Sequence, residues 1–161
     1  MTNVLFHQLW QNHPGKGDSN KPNTYPCDKT MFENQCAVRM GVALDKSGID
    51  TRGFAVRRCS KAFPALKAHH PGHILAAQEL ADALDRYSAL WPAPARTRKF
   101  RGSIEANRET FDTARGIVFI QNGWGNVDHI DMWDGSLGLL KGADGLSFNM
   151  VGSSVWLWKL A

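Results

Sequence analysis

Two residues that lie far apart in the chain have side chains suited to nucleophilic catalysis. Cys36 falls in the first turn of a helix predicted over residues 35–46, where unpaired backbone N–H groups and the helix dipole favour an anionic thiolate. His129 lies in a predicted strand. A cysteine at a helix start with a histidine far downstream on a sheet is the order found in papain-like hydrolases. Position alone is also typical of a small buried cysteine, so the surrounding motifs have to separate the two interpretations.

Two predicted helices precede the sheet, and the first carries the cysteine. Asn34 can cap this helix and Gly48 can end it, while its apolar residues recur three and four apart at Ala37, Met40 and Leu44. A second helix is predicted over residues 73–90, with one apolar stripe formed by Ile74, Ala77, Leu80, Leu84 and Tyr87. Residues 12–26 are rich in turn formers and predict a long loop.

The second half of the chain has the periodicity of strands. Residues 117–120 form a short apolar and β-branched run, and residues 129–133 alternate polar with apolar. Asp134-Gly135 predicts a two-residue hairpin turn into residues 136–140, and further strands are predicted at residues 146–151 and 155–160. Helices followed by such strands predict an α+β fold, with N-terminal helices packed on a C-terminal antiparallel sheet.

Length and composition suit one globular domain over residues 1–161. The chain has 161 residues, of which 43% are hydrophobic and 21% charged. No apolar run approaches the roughly 20 residues that a membrane-spanning helix needs. The first ten residues lack the basic start and apolar stretch of a secretory signal peptide, so export by the general pathway is not expected. The formal net charge of +4 favours an anionic partner such as nucleic acid, anionic lipid or the bacterial cell wall.

Four sequence motifs, in order along the chain, resemble those of a known family. They are Asn34-Gln35-Cys36-Ala37-Val38-Arg39-Met40, Gly116-Ile117-Val118-Phe119-Ile120 with Gly123-Trp124-Gly125, His129-Ile130-Asp131-Met132-Trp133-Asp134-Gly135, and Val155-Trp156-Leu157-Trp158. Over nearly its whole length the chain resembles the family 4 amidase effectors of bacterial type VI secretion. The resemblance implies an NlpC-type, papain-like cysteine peptidase that cuts the γ-D-glutamyl to meso-diaminopimelate bond of peptidoglycan stem peptides in rival bacteria.

The resemblance also implies partners and a route of delivery. The expected partners are the peptidoglycan stem peptide, a cognate periplasmic immunity protein and the type VI secretion apparatus. The protein would be made in the cytoplasm and delivered into the periplasm of a target bacterium. We expect no cofactor, no nucleic-acid or membrane partner, and a monomer, since the protein must be injected.

Catalytic roles can be assigned on this basis. The Cys36 thiolate would attack the isopeptide carbonyl, while His129 takes the thiol proton and then gives it to the departing amine. Water would release the acyl-enzyme. The backbone N–H of Cys36 can help hold the oxyanion, and the Gln35 side chain is either a second donor or simply a helix-start residue. Trp124 either walls the substrate cleft or packs beside the glycines.

The residue that orients His129 is the least determined member of the site. The family implies an acidic residue on the strand after the histidine strand, but a two-residue turn would pair His129 with Leu140, which cannot orient an imidazole. Asp131 is the preferred candidate because it shares a strand face with His129. Asp144 becomes reachable if the return strand bulges or the turn is longer. Asp131 could instead pair with a base such as Arg39.

Other clusters predict less specific roles. Solvated loops are expected for the basic groups at Arg57, Arg58 and Lys61 and at residues 96–101. A loop and helix-start role is favoured over metal binding for the HHxxH cluster of His69, His70 and His73. The three cysteines form no CxxC pair, which disfavours a structural zinc site and leaves a Cys27–Cys59 disulfide open in an oxidising periplasm, with Cys36 free.

Two other functions fit the sequence. An acyl transferase or another amide hydrolase could use the same Cys36 and His129, and would differ in whether an amine or water takes the acyl group. A non-catalytic wall-binding or nucleic-acid-binding module would use the positive charge and residues 96–101. It predicts that Cys36→Ala leaves activity intact and that binding falls steeply with salt.

Overall fold

The computed structural model describes residues 2–22, 24–27, 34–59, 72–86, 96–143 and 147–160. Within these ranges three helices come first: α1 (Thr2–Asn12), α2 (Cys36–Lys46) and α3 (Ala77–Arg86). They are followed by β1 (Thr97–Arg101), a 3-10 turn (Glu105–Asn107), α4 (Arg108–Phe111), β2 (Arg115–Trp124), β3 (Val127–Asp134), β4 (Leu139–Leu140), a second 3-10 turn (Phe148–Met150) and β5 (Ser154–Lys159). The predicted α+β architecture is confirmed. Within the described ranges, no helix has the length and apolar character needed to cross a membrane.

In the part of the chain that the structure describes, the sheet has five antiparallel strands in the order β1-β5-β2-β3-β4, so β2 lies at its centre. The apolar residues 117–120 of β2 are buried on both faces of the sheet. Ile117 and Phe119 pack into the core that the helices cover, whereas Val118 and Ile120 pack against the opposite cluster around Phe111. Burial on both sides explains why this strand is continuously apolar and does not alternate.

Helix α2 has the boundaries that its capping signals predict, to within one residue. Asn34 Oδ1 accepts the backbone N–H of Cys36 at 3.2 Å, which supports the first turn. At the other end Gly48 has a φ of 82°, and the N–H of Ile49 donates to Leu44 O at 3.0 Å, a Schellman-type stop. The predicted stripe of Ala37, Met40 and Leu44 is buried.

The second predicted helix begins later than expected, at Ala77 instead of residue 73. The preceding residues are used elsewhere, because Arg58 and Ile74 form an isolated antiparallel bridge. The N–H of Cys59 donates to His73 O at 3.0 Å and extended backbone continues to Leu75. The buried stripe from Ile74 to Leu84 is confirmed, and the predicted end at residues 87–90 lies outside the described residues.

The predicted two-residue turn at Asp134-Gly135 is wrong. Trp133 pairs with Leu140, which leaves residues 135–138 as a four-residue connection and β4 as a two-residue strand. The N–H of Gly135 donates to Ala114 O at 2.8 Å, so this residue is held against the segment before β2 and does not close a turn with Asp134. A Cβ at this position would collide with Phe111 O, which explains why the residue is glycine. Asp134 Oδ1 instead accepts the N–H of Ser136 at 2.9 Å, which forms an Asx turn.

Two further differences concern local elements. The strand expected at residues 146–151 is replaced, in its described part, by the 3-10 turn Phe148–Met150, and residue 146 is outside the described residues. The loop expected at residues 96–101 is an edge strand, β1, whose backbone pairs with β5. The strand predicted at residues 155–160 and the loop after Asn12 are confirmed.

Candidate active site

Cys36 is the first residue of α2, and its thiol faces the start of β3. The side chain is 5% exposed, and Sγ lies 4.0 Å from the carbonyl oxygen of Asp128. An open cleft of about 280 Å³ lies beside it, lined by Asn34, Cys36, Leu75, Ala76, Ala77, Asn126, Val127 and Asp128. A thiol at a helix start that borders a cleft is placed to meet a bound substrate.

His129 lies next to this thiol on β3 and is held on two sides. Its Nε2 is 2.8 Å from Asp131 Oδ2, and its ring stacks on Phe148 with centroids 4.2 Å apart and planes 8° apart. Since Nε2 faces the carboxylate, Nδ1 is left for the hydrogen bond with Cys36. Burial lowers the pKa of His129, but the hydrogen bonds with Asp131 and Cys36 outweigh it and raise the pKa to about 10. The site therefore favours an imidazolium beside the sulfur.

Asp131 is fully buried and is the centre of the polar network. Its Oδ1 accepts the N–H of Met132 at 2.8 Å, and the N–H of Gly142 lies 2.9–3.0 Å from both carboxylate oxygens. Burial raises the pKa of Asp131, but the hydrogen bond with His129 and the histidine charges lower it further than burial raises it. An ionised carboxylate here fixes the His129 ring, as the shared strand face predicts.

His13 completes the network from the end of α1, and sequence reasoning missed it. Its Nδ1 accepts the N–H of Gly15 at 2.9 Å, so the neutral ring carries its proton on Nε2, which lies 3.4 Å from Asp131 Oδ1. Burial is the main cause that lowers the pKa of His13 to about 4. At neutral pH His13 thus presents a neutral N–H to the carboxylate that orients His129. No local pattern marks this residue, because its partner is distant in sequence.

The other predicted site residues are placed less centrally. Both ends of the Gln35 amide bind the backbone of Cys27, with Oε1 accepting its N–H at 3.1 Å and Nε2 donating to its carbonyl at 2.8 Å. Trp124 is 47% exposed at the end of β2 and is not among the residues lining the cleft. Asp144 lies outside the described residues. Arg39 donates to the carbonyls of Thr24 and Gly142, next to the network.

Two glycines keep the site compact. A Cβ at Gly123 would lie 2.8 Å from Cδ1 of Phe148, the ring that stacks on His129. A Cβ at Gly142 would lie 3.0 Å from Cε1 of His13. The glycine-rich stretch before β3 therefore supports the histidine ring through Phe148, a contact that the sequence does not show.

A thiol, an imidazole and a carboxylate in this order are suited to covalent catalysis. The imidazole can take the thiol proton at Nδ1 while the carboxylate holds its tautomer and orientation through Nε2. The thiolate can then attack a carbonyl carbon bound in the adjacent cleft. The geometry brings together a thiol, an imidazole and a carboxylate, which are the groups that acyl transfer by covalent catalysis uses.

Comparison with known proteins supplies a family and a fold. The sequence model of the type VI secretion system amidase effector protein 4, Tae4, matches residues 32–158. The structure of the Tae4/Tai4 effector–immunity system from Salmonella typhimurium aligns with a TM-score of 0.61 at 17% identity, over 99% of this chain and 97% of that one. Tae4 from Enterobacter cloacae aligns with a TM-score of 0.57 at 16% identity, over 99% and 96%. No curated protein matches this sequence.

Proposed function

The chain belongs to the type VI secretion amidase effector 4 family and is a peptidoglycan-hydrolysing enzyme, and from this premise we propose that it is a cysteine DL-endopeptidase. In this proposal it is an NlpC-type, papain-like peptidase that cuts the γ-D-glutamyl to meso-diaminopimelate bond of stem peptides. The observation that carries the proposal is the buried series of contacts from Cys36 through His129 to Asp131. Membership of an amidase family sets aside the non-catalytic binding module.

The proposed reaction has two stages. The reaction starts from a thiolate on Cys36 with its proton held on His129 Nδ1, and Sγ attacks the γ-carbonyl carbon of D-glutamate to give a tetrahedral oxyanion. The oxyanion collapses to a thioester as the imidazolium gives its proton to the amine of diaminopimelate, which leaves. His129 then deprotonates a water that attacks the thioester, and the sulfur leaves as thiolate. Asp131 stays ionised and holds the ring throughout.

We assign the oxyanion donors to Cys36 and Asn34, and we assign Gln35 a positioning role. Gln35 is engaged by Cys27 at both ends of its amide, whereas Asn34 lines the cleft beside the thiol. Asn34 Oδ1 accepts the Cys36 N–H, so a small rotation can release that N–H to the substrate, and the Asn34 amide group can donate as well. Removing one such donor costs about 10²–10³ in kcat. Asn34→Asp, which keeps the helix cap and loses the amide donors, should therefore lower kcat strongly.

The partners and the route are part of the same proposal. The similar structure from Salmonella typhimurium is that of the Tae4/Tai4 effector–immunity system. By analogy we propose that a cognate periplasmic immunity protein inhibits this chain, and that type VI secretion delivers it into the periplasm of a target bacterium. A net charge of +4 suits approach to an anionic cell wall.

The direct test is hydrolysis of a defined stem tetrapeptide in water enriched in oxygen-18. The proposal predicts one heavy oxygen in the released D-glutamate carboxyl, no product with Cys36→Ala, and ordinary activity with His7→Ala, the substitution of an exposed histidine. Adding an amine separates hydrolysis from acyl transfer. A product that contains the amine in place of heavy oxygen would favour the transferase alternative, and activity in Cys36→Ala would refute the cysteine mechanism.

A further inference from the structure

A second group of reactive side chains lies away from the catalytic histidine. The Sγ atoms of Cys27 and Cys59 and a ring nitrogen of His73 all lie within 4.8 Å of one another. Cys59 is fully buried, Cys27 nearly so, and His73 is partly exposed. Among the described residues, this is the one group of three histidine, cysteine or acidic side chains with such a separation.

The backbone fixes two members of the group opposite each other. The bridge between Arg58 and Ile74 aligns Cys59 with His73, and the N–H of Cys59 donates to His73 O at 3.0 Å. In return the N–H of His73 donates to Cys59 Sγ at 3.1 Å. A backbone N–H donated to sulfur is also the kind of outer-shell contact that orients the ligands of a metal site.

The third member is held by Gln35. The Gln35 side chain binds the N–H and the carbonyl of Cys27 at 3.1 and 2.8 Å, and it is itself buried. Cys27 and Cys59 also pack with Val38 of α2 in a small apolar cluster. Three separate segments therefore converge behind the helix start that carries Cys36.

We propose that Cys27, Cys59 and His73 bind a zinc ion. Two sulfurs and an imidazole with no carboxylate select a thiophilic cation over magnesium or calcium. Tetrahedral bonds of about 2.3 Å to sulfur and about 2.0 Å to nitrogen place ligand atoms about 3.5–3.8 Å apart. The three ligand atoms here lie within 4.8 Å of one another, so a small inward movement would bring them to that separation. Three protein ligands with one water complete four-coordination. A Cys27–Cys59 disulfide would use only two of the three groups and leave the approach of the imidazole unexplained, so zinc is the better fit.

The bound ion would clamp the residues before α2 to the bridge between Arg58 and Ile74. Gln35 is then the link between the zinc site and the nucleophile, since it contacts Cys27 and precedes Cys36 in the chain. The CxxC rule misses this arrangement because the three ligands come from segments that only the fold brings together. This inference does not depend on the peptidase proposal.

The test uses the full chain in a Cys36→Ala background, so that metal binding to the catalytic thiol and loss of activity play no part. Reduced, metal-free protein is titrated with Co²⁺ and then with Zn²⁺ against a chromophoric chelator. We expect the protein to bind one equivalent of Co²⁺ and to show a thiolate-to-cobalt charge-transfer band, which one equivalent of Zn²⁺ should remove. Cys59→Ser and His73→Ala should each weaken Zn²⁺ binding at least ten-fold, and Gln35→Ala, which keeps all three ligands, about ten-fold with an unchanged Co²⁺ spectrum. Asn34→Ala, one residue away, is the matched control.

Several results would overturn the zinc site. One is a Co²⁺ complex of the parent protein without a thiolate band, which can be read even if the ligand variants fail to fold. Another is equal Zn²⁺ affinity in the parent and in His73→Ala. A third result would be a disulfide between Cys27 and Cys59. It would show as an intact mass two hydrogens lower after isolation without reductant, with the full mass restored by a thiol, together with a reduced form that does not bind Zn²⁺.

Discussion

Acidification from pH 6.5 to 4 should destabilise the protein through one buried residue, His13. Its pKa is lowered from 6.5 to about 4, mainly because burial disfavours the charged ring. The unfolded chain then binds more protons than the folded chain in this window, so the free energy of unfolding rises with pH. This contribution is complete above pH 6.5 and is lost as the pH falls to 4. At about 1.4 kcal/mol per pKa unit it amounts to about 3 kcal/mol.

The other shifted groups of the network act in different windows. The pKa of His129 is raised to about 10, so its contribution to stability is complete below pH 6.5 and is lost as the pH rises through 10. The pKa of Asp131 is lowered from 3.8, so its contribution is lost only below that range. Among the groups of this network, His13 is therefore the main cause of the change in the free energy of unfolding between pH 4 and 6.5.

The assay is urea unfolding at pH 4, 5, 6 and 7 for the wild type, His13→Gln and His7→Gln. Glutamine cannot gain a proton in this range and keeps an N–H near the position of Nε2. It loses the acceptor for Gly15, which should cost about 1–2 kcal/mol at pH 7. The decisive quantity is the free energy of unfolding of the wild type minus that of His13→Gln. It should fall by about 3 kcal/mol between pH 7 and pH 4, so that it changes sign and the variant becomes the more stable protein at pH 4. The reasoning would be refuted if the stability of the wild type and that of His13→Gln changed in parallel with pH. It would also be refuted if the difference between the wild type and the control His7→Gln changed with pH as much as the difference for His13→Gln.

Three further predictions concern the site. Asp131→Asn should lower kcat/KM by about 10³–10⁴ because the histidine ring loses its anionic partner, and steady-state kinetics showing less than a ten-fold loss would contradict this. In urea unfolding, Gly123→Ala should destabilise the fold by about 1–3 kcal/mol because its Cβ displaces Phe148. Gly53→Ala, whose Cβ meets no atom within 4 Å, should change stability by less than about 0.5 kcal/mol, and equal losses for the two variants would contradict this. Trp124→Ala should raise KM for sacculi without changing kcat if this exposed ring walls the cleft, and an unchanged KM would remove it from the substrate-binding residues.

The elements that carry the site could be predicted because their signals are local. Capping by Asn34 and the stop at Gly48 delimit α2, and the polar and apolar alternation in β3 gives the strand on which His129 lies. The two-residue period of a strand then predicts that Asp131 lies on the same face as His129, and the two side chains are 2.8 Å apart in the structure. The catalytic roles of these residues remain predictions.

What could not be predicted depends on tertiary contacts. The turn after Asp134 is longer than its sequence suggests because Gly135 packs against the backbone of Phe111. His13 and Phe148 reach the site from the end of α1 and from a 3-10 turn, without any motif that links them to β3. Local patterns specify α2 and β3, whereas these contacts depend on how the elements pack.

The most direct test of the central claim is mass spectrometry of soluble fragments released from purified diaminopimelate-type sacculi. Wild-type protein is compared with Cys36→Ala and His129→Ala, and with His7→Ala as the exposed-histidine control. The account predicts fragments split between D-glutamate and diaminopimelate with the wild type and the control, and none with the other two variants. Fragments split at a different bond, or equal release by Cys36→Ala or His129→Ala, would contradict it.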